Sequence, residues 1–317
     1  MLSRIDPMVR LLALAIGLAL LVPVHGGWRD AAQFVANAAV FLLFFLNGLR
    51  LPRHEVLAGM GNHRLLWPLV GWVYGAMALG GWLVWQGGQG WMPPLLALGF
   101  LYLGCLPSTV QSATAYSSLA GGNVAASVVA AALLNILGVF FTAPLFSLLA
   151  GSGAATFDAS GLLKVVTILL IPFLLGQALQ GRLGGWVAGN RQLVTRMDRS
   201  SIAIAVYVAF SGAVEQRFWE RIDLAGWGWL LGGTMLLLVF GHLGAWLLAG
   251  SMRLDRPTRI TFLFAGAQKS IAMGAPLATV LFPPAAAGIV LLPILLYHLV
   301  QLVIAAPIAA RLNPPVR

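Results

Sequence analysis

The chain has 317 residues, 60% of them hydrophobic and 9% charged, with a formal net charge of +10. A soluble domain carries about 25% charged residues and could not hide this much apolar surface, so the composition excludes a soluble fold and makes lipid the solvent. The bases are neither clustered nor interleaved with aromatics in a polar domain, which argues against a nucleic-acid partner, and one cysteine, Cys105, cannot build a disulfide framework or a cysteine metal site.

Apolar blocks of about 20 residues, set off by charged or Gly/Pro-rich breaks, predict ten membrane-spanning helices in a single transmembrane domain. The first, near 9–25, follows Arg4 and Arg10. The VPVHGG after it has no A-x-A-like cleavage site, so it reads as a retained helix and not a signal peptide. The others lie near 32–49, 63–86, 93–120, 123–150, 161–181, 199–214, 224–250, 258–282 and 285–310. With the N-terminus inside, 14 arginines fall in inside segments, and only Arg29, Lys164, Arg217 and Arg221 lie outside. This bias predicts both termini on the cytoplasmic side. Trp28, Trp67, Trp85, Trp91, Trp186, Trp219 and Trp227 near span ends agree, since amphipathic rings favour the headgroup region.

Spans four and nine carry polar, small and Pro residues where a lipid-facing helix is apolar: LPSTVQSATAYSSLAGGNVA (Leu106–Ala125) and AGAQKSIAMGAPLA (Ala265–Ala278). Each has a glutamine followed by polar neighbours, Gln111–Ser112 and Gln268–Lys269–Ser270, 157 residues apart (268 − 111). Five helices separate the two features, an odd number that inverts the second relative to the first. The pattern predicts two inverted five-helix repeats, about 1–150 and 155–311, with discontinuous helices four and nine. Two kinked helices packed through small residues would look similar. Broken helices at membrane depth are tolerated only inside protein or along a water-filled cavity. Two breaks meeting there would aim helix N-termini at an anion and carbonyl ends at a cation.

FFLNGLRLP (Phe44–Pro52), LPSTVQSA (Leu106–Ala113), GGNVAAS (Gly121–Ser127), AQKSIAMGAPLATVLFP (Ala267–Pro283) and YHLVQL (Tyr297–Leu302) together resemble the bile acid:sodium symporter superfamily. More narrowly they resemble its bacterial SBF-like branch of sodium-dependent transporters, over nearly the whole chain. The resemblance implies an all-α, ten-helix protein of the bacterial inner (plasma) membrane. It further implies a panel domain (spans one, two, six and seven) and a core domain in which spans four and nine unwind and cross. Two sodium ions would bind behind the crossover, with organic anions moved by alternating access and no other cofactor. Carried over by residue, it implies sodium contacts at Ser127, beside the GNVA turn, at Gln268 and, by a looser match, at Ser112 and Thr114. A further hydroxyl ligand falls on Ala131, and an asparagine facing substrate falls on Lys269. The acid bridging the two sodium sites has no counterpart in FLFAGA (Phe262–Ala267).

Lys269 has no carboxylate within 13 residues on either side. Three readings compete: a side chain snorkelling to an interface, a built-in cation in place of the second sodium, or a receptor for the anionic group of the substrate whose protonation couples to transport. Candidate substrate contacts are Asn47, Gln111, Ser112, Gln268, Lys269, Ser270 and Gln301. Asn37 and Asn135 join them as cavity-lining candidates, and interhelical hydrogen bonding is the plainer role for such residues. His242 and His298 are candidates for a proton relay or for satisfied structural positions. No H-E-x-x-H, G-x-S-x-G or paired acidic motif occurs, which argues against an enzyme. The expected function is secondary transport of a small organic anion. The alternatives are a sodium-independent carrier or regulator of ion homeostasis with Lys269 replacing the cation, and a channel.

Overall fold

A computed structural model of the chain describes residues 7–50, 62–151, 163–164 and 166–313. They form α1 (Pro7–Leu21), α2 (Trp28–Arg50), α3 (His63–Gly88), α4 (Pro94–Cys105), α5 (Val110–Leu119) and α6 (Val124–Ala150). These are followed by α7 (Val166–Gly189), α8 (Arg191–Glu215), α9 (Leu224–Ser251), α10 (Arg256–Ala267), α11 (Ile271–Leu281) and α12 (Pro284–Leu312). Among the described residues there is no strand, only an isolated bridge between Gln89 and Met92.

Local chemistry explains several boundaries. Asn62, Thr109, Asn123 and Asp255 each accept a hydrogen bond from the N–H three residues on, satisfying a donor that the first helical turn leaves free. Pro94 and Pro257 sit in the first turn, where a missing N–H costs nothing. Gly151 ends α6 at φ 69°, a conformation open mainly to glycine. Within α3, Trp72–Ala76 forms a wide π turn.

Helices occupy all ten predicted stretches, but length and composition alone do not give ten spans. Six helices are long and apolar enough to cross a membrane: α2, α3, α6, α7, α9 and α12. Joining α4 to α5, which bend by 60° at their break, gives seven. The shortfall has plain causes. α1 has 15 residues, and α10 and α11 have 12 and 11. α8 opens on Arg191–Ser201, a polar turn that hydropathy reads as a loop although Arg, Gln, Leu and Met favour helix. The predicted start of span six, at 161, lies outside the described residues.

The chain forms two compact units. The first holds α1, α2, α7, α8, most of α11 and the start of α12. The second holds α3–α6, α9, α10 and the remainder of α12. The chain passes between them inside α11, after Met273, and inside α12, after Leu292.

In the first unit, α2 and α7 meet through Gly48 and Gly176, while ion pairs link Arg29 to Glu215 and Arg50 to Asp198. A Cβ on Gly176 would lie 3.0 Å from the Gly48 Cα and closer still to the Phe45 carbonyl. Membrane helices associate through such small-residue contacts. Gly176→Val should therefore lower the melting temperature of the purified protein by several degrees, the scale of an overpacked core. Gly181→Ala, on the same helix with open space around it, should not. Equal melting temperatures for the two variants would contradict the packing.

The second unit packs Leu65, Leu69 and Val73 of α3 with Leu134 of α6, Ala245 of α9 and Phe262 of α10. Here α3 and α4 touch backbone to backbone: a Cβ on Gly104 would stand 2.7 Å from the Met77 carbonyl oxygen and 3.0 Å from the Gly81 Cα. That close approach holds the end of α4 against α3, which positions the site.

Candidate functional site

Two breaks, Leu106–Thr109 between α4 and α5 and Gln268–Ser270 between α10 and α11, meet in the second unit. The first half-helix of each pair has 12 residues and ends in an extended residue, Leu106 at ψ 150° and Gln268 at ψ 139°. One main-chain bond joins the breaks directly: Ser270 N–H donates to the Pro107 carbonyl at 3.0 Å.

Breaking a helix inside protein leaves carbonyls that must find partners. At the first break they do. Leu103 accepts from Leu106 N–H at 3.3 Å, and Ser108 accepts from Asn135 Nδ2 at 2.9 Å. Lys269 Nζ donates to Leu106 at 2.6 Å, to Gly104 at 2.8 Å and to Val73, in the π turn of α3, at 3.4 Å. The ammonium thus caps the negative end of the α4 dipole. The second break is held by α12. Gln301 accepts from Lys269 N–H at 2.8 Å and donates to the Lys269 carbonyl at 3.1 Å, while Tyr297 donates to Ala267 at 2.7 Å. Gln301 also donates to His298 Nδ1 at 2.8 Å, and Ser270 Oγ caps α11 by accepting from Met273 N–H at 3.2 Å.

Lys269 is 1% exposed, so its ammonium reaches no interface and the snorkelling reading fails. Its three protons all go to main-chain carbonyls in this conformation. Neither break nor the four half-helices contain a carboxylate. The residues expected at sodium form two hydrogen-bonded pairs, Ser112 to Gln268 Oε1 at 2.8 Å and Ser127 to Thr114 at 3.3 Å. Ser112 also pairs with the capping hydroxyl of Thr109. These hydroxyl and amide oxygens are engaged with one another in this conformation, and no carboxylate stands among them. No group of three His, Cys, Asp or Glu able to hold a metal ion occurs among the described residues.

Gln268, Lys269, Ser270, Ser112 and Gln301 therefore come together, but Gln301 spends its amide on the neighbouring backbone and His298. Gln111 lies exposed in the first turn of α5, and Asn47 lies on α2 in the first unit. The glutamines are not equivalent positions. Counted from the half-helix ends, Leu106 corresponds to Gln268 and Ser108 to Ser270, 162 residues apart (268 − 106) and not 157. Asn37 accepts from Gln33 at 3.0 Å within α2. His242 holds its own helix, Nδ1 2.9 Å from the Leu238 carbonyl. The sequence alone assigns no role to Tyr297, although YHLVQL carries part of the resemblance, or to Val73, whose carbonyl has no sequence signal. Two buried polar atoms at the breaks, Gln268 Nε2 and Ser108 Oγ, have no hydrogen-bond partner among the described residues.

Comparisons with known proteins agree with one another. The sequence model of the SBF-like CPA transporter family matches residues 6–314. The Escherichia coli (strain K12) protein named "Putative symporter YfeH" is 35% identical over 315 residues, covering 97% of this chain and 92% of the relative. The Pseudomonas aeruginosa protein PA2026 is 37% identical over 298 residues, covering 93% and 89%. Sodium/bile acid cotransporter 7 of Mus musculus is 23% identical over 321 residues, covering 92% and 88%.

Proposed function

Since the chain belongs to the SBF-like CPA transporter family, and so is a membrane transporter and not an enzyme, we propose that it is a secondary carrier of a small organic anion. Transport would proceed by alternating access at the crossing of the two breaks. The observation that supports this reading is the meeting of the two breaks: α5 and α11 both begin there, and helix N-termini favour anions. Gln268 Nε2 is a buried donor with no partner among the described residues, as a group awaiting a polar ligand is. The equal first half-helices, and the clamps that α6 and α12 place on the two breaks, support an ancestry in inverted repeats. The excess of inside arginines supports cytoplasmic termini, and the two bacterial relatives support an inner-membrane location.

Purified protein screened for thermal stabilisation by mono- and dicarboxylates, with taurocholate included, gives the candidate anion. That anion should then show saturable uptake and counterflow in proteoliposomes. Flux linear in concentration, or single-channel current, would contradict a carrier and favour a pore.

A further inference from the structure

Three main-chain oxygens, those of Leu106, Gly104 and Val73, surround one nitrogen at the first break. Carbonyl oxygens at the negative end of a half-helix are the ligands by which membrane proteins hold monovalent cations. Here a side chain fills the place. Lys269 is fully buried, and the breaks and their half-helices hold no carboxylate to balance it, so its hydrogen-bond partners are the carbonyl dipoles, with the Cys105 thiol at the end of α4 nearby. Gln301 holds both the N–H and the carbonyl of Lys269, which fixes the backbone that delivers the ammonium.

We propose that the Gly104, Leu106 and Val73 carbonyls form a cation site at the crossover whose occupant is the Lys269 ammonium, so that a tethered primary ammonium replaces a free coupling ion there. The inference rests on the carrier reading for one point, that transport happens at this crossover. A free ion must shed water to enter and must leave again in each cycle. A tethered one holds the breaks together at every external sodium concentration.

Removing the side chain then leaves a site for an added cation of the same chemistry. Lys269→Ala keeps the Cβ, and the part removed has the size of n-propylammonium. At millimolar concentration this ion should raise the melting temperature of purified Lys269→Ala saturably, by about 5 °C on the scale of ligand linkage. Tetramethylammonium, equally charged but without N–H donors, should leave it unchanged, and neither ion should shift the parent protein. If the variant does not fold alone, the same comparison is made on the folded fraction recovered when the amine is present from growth through extraction. Failure of n-propylammonium to stabilise or recover the variant would overturn the proposal, as would equal stabilisation by tetramethylammonium or an equal shift of the parent protein. Because the readout is folding, cation rescue without anion counterflow would contradict the carrier reading and leave the cation site standing.

Discussion

Lys269→Met is expected to abolish anion counterflow and to lower the melting temperature of the purified protein by about 10 °C. Methionine keeps much of the volume of the side chain but withdraws the donors from Leu106, Gly104 and Val73. Each hydrogen bond from a charged donor contributes about 1.5–3 kcal/mol. Against the sum stands the cost of burying an ammonium, several kcal/mol, which the variant no longer bears. The carbonyls decide the sign. They stay buried at a helix break without their donor, and each such orphaned carbonyl costs about 1–3 kcal/mol. Thermal melting in detergent and counterflow in proteoliposomes check the two effects separately. A variant that melts and transports like the parent would mean the ammonium is incidental.

The second large effect belongs to Gln301→Leu. Its amide meets the N–H and carbonyl of the same residue, Lys269, and leucine would leave both unpaired in a fully buried place. At about 1–3 kcal/mol for each orphaned group, the loss should approach that of Lys269→Met. Tyr297→Phe, which removes a single bond to Ala267, should cost less than half as much. Thermal melting orders the three variants. A milder loss for Gln301→Leu than for Tyr297→Phe would contradict the clamp.

How much of this was legible in the sequence follows from the range of the forces involved. Lipid imposes long apolar runs, so the long apolar helices and the all-helical class were visible in hydropathy. The positions of both breaks were visible because Pro107, Gln268 and Lys269 interrupt those runs. The isolation of Lys269 marked it as a charge with a task. Its partners were not legible, because they are main-chain carbonyls, which every residue carries. Val73 contributes through a π turn in WVYGA that no periodicity announces. The register between the breaks was misjudged for a related reason. Matching glutamines suggested one offset, whereas the ends of α4 and α10 set another, and Gln111 proves to lie inside a helix. The sodium contacts implied by resemblance are a separate matter: the hydroxyls of Ser112, Thr114 and Ser127 are engaged in hydrogen bonds with protein side chains in this conformation.

The most direct measurement is counterflow of the stabilising anion in proteoliposomes with sodium fully replaced by N-methyl-D-glucamine on both sides. If the Lys269 ammonium is the resident cation of the crossover, the rate is unchanged without sodium and absent in Lys269→Met. Counterflow that collapses on sodium removal, and that Ser127→Ala makes insensitive to sodium, would show an ordinary sodium site at work and contradict the account.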